Sequence, residues 1–415
     1  MKIGYSSIDI TPEPGVELSG YGWFLERKAE GVLDNLYARA VAFEGDNKRM
    51  LLINCDLVAI DKPISDAVKQ QISNEISISK TNIMIVCTHT HTGPATGRLI
   101  GCGEPDEKYR SVLIDLLIGA GKSAFNNLME IASVKSVTKE IEPIGFNRVS
   151  KDGPVDNVVR GMVFYFDEGR PLAILSYGCH PVTLGPLRHV SADYPGRVIK
   201  ALNEEGFDGV FLTGLCGDID PVQNLIKWGS GTPEIIDEYG RRIVNVLLDS
   251  VSKTEEMKES SLDAYEIDLS LKLQKYKHED IDRQVEIYER KKEENPGAYK
   301  VAKIWAAEMK TQLERSKEPY LEFLTVQIFR IGNVLLIGFP GEVFTEIGSI
   351  IRESLPDFNV LALGNANSTM RYVPTRDDIE KQGYAGLLSC LLYLRLPLEP
   401  GEGERMAEIV AGQIR

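Results

Sequence analysis

Two histidines one residue apart, His89 and His91, follow the apolar run Ile83-Met84-Ile85-Val86-Cys87 in the stretch Thr88-His89-Thr90-His91-Thr92-Gly93-Pro94. Imidazole is the commonest metal ligand and also moves protons near neutral pH. On an extended chain residues two apart share a face, so the pair suits two ligands, or one ligand beside an acid/base group. His180 closes a second apolar run, opening at Leu172 and ending in Gly178-Cys179-His180-Pro181, in a chain with only five histidines. Glu342 follows the run Val334 to Phe339 through Pro340-Gly341, and Tyr372 offers a further oxygen. Two histidines and a carboxylate form a zinc shell that keeps a position for water, and a third histidine beside it could protonate a leaving group. Simpler roles compete: Glu342 as a helix cap, Tyr372 as a core aromatic, Arg148 in a surface ion pair, Asp218 and Asp220 as turn caps.

Strand ends must position these groups, because the crevice beyond the carboxyl ends of strands is where open α/β sheets bind ligands. Apolar runs bounded by turn residues predict strands at 2–10, 36–45, 49–56, 83–87, 133–140, 159–167, 209–214, 324–330, 334–339 and 360–364. Helical patterns fall at 62–75, 106–129, 195–206, 233–253 and 344–353. The expected fold is α/β, a mixed β-sheet core flanked by helices, in one catalytic-type domain over 1–415. Residues 254–320 turn charge-rich and amphipathic, which predicts a helical insertion with His278 as a solvated surface residue. Asp56, at the end of the 49–56 strand, could accept from a metal-bound imidazole, although a loop or cap carboxylate is the simpler expectation.

Composition narrows the function classes. Net charge is −14, from 47 basic and 61 acidic residues, which opposes binding to phosphate backbones and anionic membranes. No segment approaches the roughly 18 unbroken apolar residues of a membrane span, and Met1 to Ile10 lacks the basic and apolar regions of a signal peptide. The expected location is cytoplasmic. Six cysteines are scattered without metal-binding spacing, which fits reduced thiols, and Cys179 reads as a small buried apolar residue. No exposed apolar docking stretch is evident.

Several segments together resemble the neutral/alkaline (non-lysosomal) ceramidase family. They are Asp9-Ile10-Thr11-Pro12, Leu36-Tyr37-Ala38-Arg39-Ala40, Thr88 to Pro94, Asn147-Arg148, Gly217-Asp218, Pro340-Gly341-Glu342 and Tyr372-Val373-Pro374-Thr375. The resemblance implies a zinc amidase that hydrolyses the C–N bond of a small-molecule N-acyl substrate. It implies His89, His180 and Glu342 as Zn2+ ligands with Tyr372 as the fourth, His91 as general acid, and Arg148 on a substrate oxygen. The expectation is a chain without the family's signal peptide and C-terminal immunoglobulin-like domain, and the family's serine in Gly-Asp-Val-Ser-Pro-Asn is replaced by Asp220. A soluble amide smaller than ceramide is therefore as good an expectation as ceramide. An esterase or lactonase on the same site, or a metal-binding or ligand-binding protein without turnover, are the alternatives. A homo-oligomer is compatible with the sequence.

Overall fold

The structure, a computed structural model, describes all residues except 46, 98, 252–255, 258–260 and 415. Alternation of side chains along strands builds its layers. In β1 (Lys2–Asp9), β2 (Tyr37–Gly45), β3 (Lys48–Cys55) and β4 (Ile83–Cys87), every second residue faces helices and the others face a second sheet. Leu51 and Ile53 pack toward α1 (Lys62–Ile76) and α2 (Glu107–Asn126), whereas Met50 and Leu52 pack toward the second sheet. The first sheet continues through β5 (Met129–Glu140), β6 (Val158–Phe166), β7 (Leu172–Tyr177) and β8 (Asp208–Thr213), in the spatial order β8-β7-β6-β5-β1-β2-β3-β4. Only β7/β8 and β3/β4 are parallel pairs, joined through helical crossovers. Helices α3 (Asp193–Glu204) and α4 (Pro233–Val251) cover the β6–β8 end.

The second sheet runs β9 (Leu262–Lys272), β10 (Leu321–Ile331), β11 (Val334–Gly338), β12 (Asn359–Leu363), with only β11/β12 parallel. Val334, Leu336, Leu361 and Leu363 face the first sheet, and Leu335, Ile337, Val360 and Ala362 face outward. That outer face is covered by α5 (His278–Glu289), α6 (Pro296–Arg315), α7 (Thr345–Ser354), α8 (Ser389–Tyr393) and α9 (Glu402–Gln413). The layers are thus helix, sheet, sheet, helix. The expected α/β class, a mixed β core flanked by helices, is what the chain forms.

One part of the charged segment departs from its helical reading. Residues 278–289 and 296–315 are helices, but Leu262–Lys272 is a strand paired along its whole length with β10. Its sequence, Leu-Asp-Ala-Tyr-Glu-Ile-Asp-Leu-Ser-Leu-Lys, alternates apolar with polar, the pattern of a strand wet on one face. Charge density hides that period when the region is read by composition. His278 opens α5 on the surface, as expected. The expected helix at 106–129 stops at Asn126, and β5 already begins at Met129.

Candidate metal centre

The carboxyl ends of β4, β7, β8, β11 and β12 meet along one border, where bridges Gly214↔Leu363 and Val86↔Ala366 stitch the two sheets together. His89, His180 and Glu342 leave three of these strand ends and converge. Glu342 Oε2 lies 3.2 Å from His89 Nε2 and 3.0 Å from His180 Nε2. His91 Nε2 lies 3.3 Å from His89 Nε2, and ligand atoms of the three histidines all fall within 4.8 Å of one another.

His89 and His91 do not meet by sharing a strand face. β4 stops at Cys87 and His89 takes a left-handed φ of 68°, so a turn rather than alternation swings the two rings together. A non-glycine residue held there is strained, and its amide donates to Leu57 O and its ring to Val58 O, which fixes the turn.

Carbonyl partners set the imidazole tautomers. A carbonyl can only accept, so His89 Nδ1 carries a proton for Val58 O at 2.7 Å, and His180 Nδ1 carries one for Cys216 O at 2.6 Å. Both Nε2 lone pairs are left facing Glu342. Acceptor nitrogens and a carboxylate oxygen aimed at one another lack a hydrogen to share, and a cation between them resolves the conflict. Tetrahedral ligands about 2.0–2.1 Å from zinc lie about 3.3 Å apart, close to the separations here. The residues present therefore fit a zinc-like ion. Asp56 is not the imidazole acceptor. It binds Arg39 Nη1 at 2.7 Å and the amide of Tyr37 at 3.0 Å.

Positive charge on the imidazole side of the site, the charge that a bound cation would also supply, favours an ionised carboxylate. Burial alone would raise the Glu342 acid, but His89 and His180 more than offset it and hold it well below the usual carboxylate range. Burial, reinforced by His89 and His180, pushes His91 well below the ordinary histidine value. Its Nδ1 is buried and has no hydrogen-bond partner among the described residues.

Tyr372 and Arg148 sit beside this group. A parallel bridge pairs Tyr372 with Glu342, and Arg148 Nη2 donates to Tyr372 Oη at 2.9 Å and to Gly217 O at 2.8 Å. Arg148 Nη1 donates to Asp220 Oδ1 at 3.0 Å, so the Asp220 carboxylate offsets the charge of the guanidinium. Asp218 is not a cap of its own turn: it accepts from the Thr345 amide and hydroxyl at the start of α7, and from Asn147. Cys179 is fully buried and burial pushes its thiol well up, so it is inert.

A cavity of about 360 Å³ opens over the centre, with His91, Arg148, Asp220 and Tyr372 on its polar side and Trp23, Leu25, Trp228, Leu388 and Leu392 on its apolar side. Leu25 and Trp228 remain 47% and 53% exposed, and Leu225 and Ile226 just before Trp228 are exposed as well. The mouth thus carries the apolar surface that no single stretch of sequence displays. Sequence reasoning also missed Tyr393, whose hydroxyl donates to Glu342 Oε1, and Tyr384, which lines the cavity. Both lie beyond the last assigned strand, in short helical turns whose apolar residues carry no clear period.

Comparison with known proteins agrees with this architecture. Residues 1–99 match the family model described as neutral/alkaline non-lysosomal ceramidase, N-terminal. The fold is similar to the crystal structure of neutral ceramidase from Pseudomonas aeruginosa, at TM-score 0.77 and 20% identity, over 99% of this chain and 73% of that one. A structure titled ceramidase complexed with C2 superposes with TM-score 0.76 and 18% identity, over 98% of this chain and 73% of that one. No curated protein matches the chain. The ceramidase resemblance read from the motifs is borne out; the solved structures, at these identities, establish the fold.

Proposed function

We propose that this chain, with a ceramidase-like N-terminal part and the ceramidase fold, is a zinc-dependent hydrolase that cleaves the C–N amide bond of an N-acyl small molecule. The observation that carries the reading is the convergence of His89 Nε2, His180 Nε2 and Glu342 Oε2 next to His91 and Tyr372, which line an amphipathic cavity. His89, His180 and Glu342 would hold the ion, with Tyr372 as fourth ligand. A bound divalent ion supplies a Lewis acid and lowers the pKa of water to about 7.

The chain's own groups do the rest. His91, neutral at rest because burial depresses its pKa, accepts the proton of the attacking water and passes it to the departing nitrogen. An amide needs that delivery more than an ester does, since an amine anion is a poor leaving group. Arg148 faces the cavity and stabilises negative charge on the substrate oxygen. Trp23, Leu25 and Trp228 provide apolar wall for the acyl group. With about 360 Å³, the cavity sits at the small end of ligand pockets, which run from about 300 to 1,000 Å³. That supports a compact amide or one end of a longer chain.

A second reading follows from the three clustered histidines: His91 as a third nitrogen ligand, with no acid/base role. Elemental analysis of wild type and of the His89→Ala, His180→Ala and His91→Ala variants tests both. Near-stoichiometric zinc in wild type, lost in the first two variants and retained by an inactive His91→Ala, supports the proposal. Zinc loss in all three makes His91 a ligand. No zinc in wild type after reconstitution overturns the hydrolase reading.

A further inference from the structure

Glu342 has two oxygens with different surroundings, and the second one is not free. Oε2 faces His89 and His180, while Oε1 accepts the hydroxyl of Tyr393. Tyr393 is the last residue of α8, and its phenol is buried against the Tyr372 ring, with centroids 6.1 Å apart. A phenol O–H has one proton to give, and here it goes to the oxygen turned away from the imidazoles.

The backbone just beyond Tyr393 is anchored in turn. Arg395 O accepts from the indole of Trp305 at 2.7 Å, and Trp305 is the fully buried centre of α6. Arg395 Nε and Arg371 Nη1 both reach Glu322 at 2.5 Å, on separate oxygens, so Glu322 ties the Tyr393 segment to the residue preceding Tyr372. Arg371 also donates to Leu396 O at 2.9 Å. The phenol is therefore held by a rigid frame and does not depend on its own contact with Glu342.

We infer that Tyr393 is a positioning residue that makes Glu342 a one-oxygen ligand, and that α6, through Trp305 and Arg395, is the brace that keeps it there. This rests on the metal reading above. Two consequences follow from the geometry. A carboxylate with one oxygen committed to a phenol leaves the remaining coordination positions to other ligands, which a small tetrahedral ion needs. A carboxylate that already sits in its binding rotamer also loses little freedom on capturing the ion, which raises affinity.

Zinc dissociation constants, measured by chelator competition, test the inference on wild type, Tyr393→Phe, Glu342→Gln and the double variant. Phenylalanine keeps the ring and removes only the hydroxyl. Tyr393→Phe should bind zinc 10–100-fold more weakly, the usual effect of losing such a supporting group. In the Glu342→Gln background the same change should have no further effect, because the ligand through which Tyr393 acts has been altered. Wild-type affinity in Tyr393→Phe overturns the inference, and so does an equal loss in both backgrounds, which would mark a general effect on the fold. A wild-type protein that binds no zinc overturns the metal reading beneath it and this inference with it.

Discussion

Replacing Lys69 by Met should stabilise the protein at neutral pH. Lys69 sits on α1 and is 7% exposed, and among the described residues its Nζ donates to Gln327 Oε1, at 3.3 Å. Burial, partly offset by the more distant Glu266 and Asp66, lowers its pKa from 10.5 to about 8. A depressed lysine pKa means that protonation costs more in the folded than in the unfolded chain. The difference of about 2.5 units corresponds to about 3 kcal/mol at about 1.4 kcal/mol per unit. The sign follows from linkage. Stability associated with the neutral amine is fully present above about pH 10.5 and is lost as pH falls through about 8, so wild type carries the whole penalty at pH 7. Met fits the long slot without charge, and Gln327 Oε1 keeps its 2.6 Å bond from Asn367. Urea unfolding of both proteins should give Lys69→Met an advantage of about 2–3 kcal/mol at pH 7, shrinking toward zero near pH 10.5. An advantage that is absent at pH 7, or constant across this range, would refute the argument that burial of the charge is the cause.

Two further substitutions separate support from chemistry. Arg148→Ala leaves Asp220 buried without its cation, which costs about 3–5 kcal/mol of stability. The double variant with Asp220→Asn should regain most of that in denaturant melts yet stay about 100- to 1,000-fold down in kcat/KM, the loss expected when a charge-stabilising donor is removed. Restored activity in the double variant would reduce Arg148 to a structural partner of Asp220. Glu322→Gln breaks a buried carboxylate shared by two arginines and should cost about 3–5 kcal/mol, read as a lower urea midpoint. A loss under about 1 kcal/mol would show that solvent already screens the cluster.

The architecture was legible where hydrophobic period and turn chemistry agreed. Val334 to Gly338 and Val360 to Leu363 read as buried strands because both faces are packed, and they are. β9 failed the same test only because Glu266, Asp268 and Lys272 occupy its exposed face and Asp263 adds a further charge near its start, which mimics a solvated helix by composition. The convergence of the candidate ligands was legible for a related reason. His89, His180 and Glu342 each follow an apolar strand directly, so that local sequence announces a side chain delivered to a sheet border.

Tyr393 and Tyr384 carried no such announcement, and their absence from the reading has a physical cause. They reach the centre from the helical layer over the second sheet, in five-residue turns too short to show a period. Their approach is set by contacts far away in sequence, Trp305 to Arg395 and Glu322 to Arg371 and Arg395, and by a local bond from the Gly386 amide to Asp378. The same division applies to function. The candidate ligands come from strand ends and can be read locally, whereas what holds Glu342 and what walls the cavity come from long-range packing. Substrate choice depends on that second group, on Trp23, Leu25, Trp228 and Tyr384, none of which borders a histidine in the chain. A motif that marks the proposed metal centre therefore says little about which substrate it would take, and the two halves of the proposed amide must be sought by varying the cavity wall.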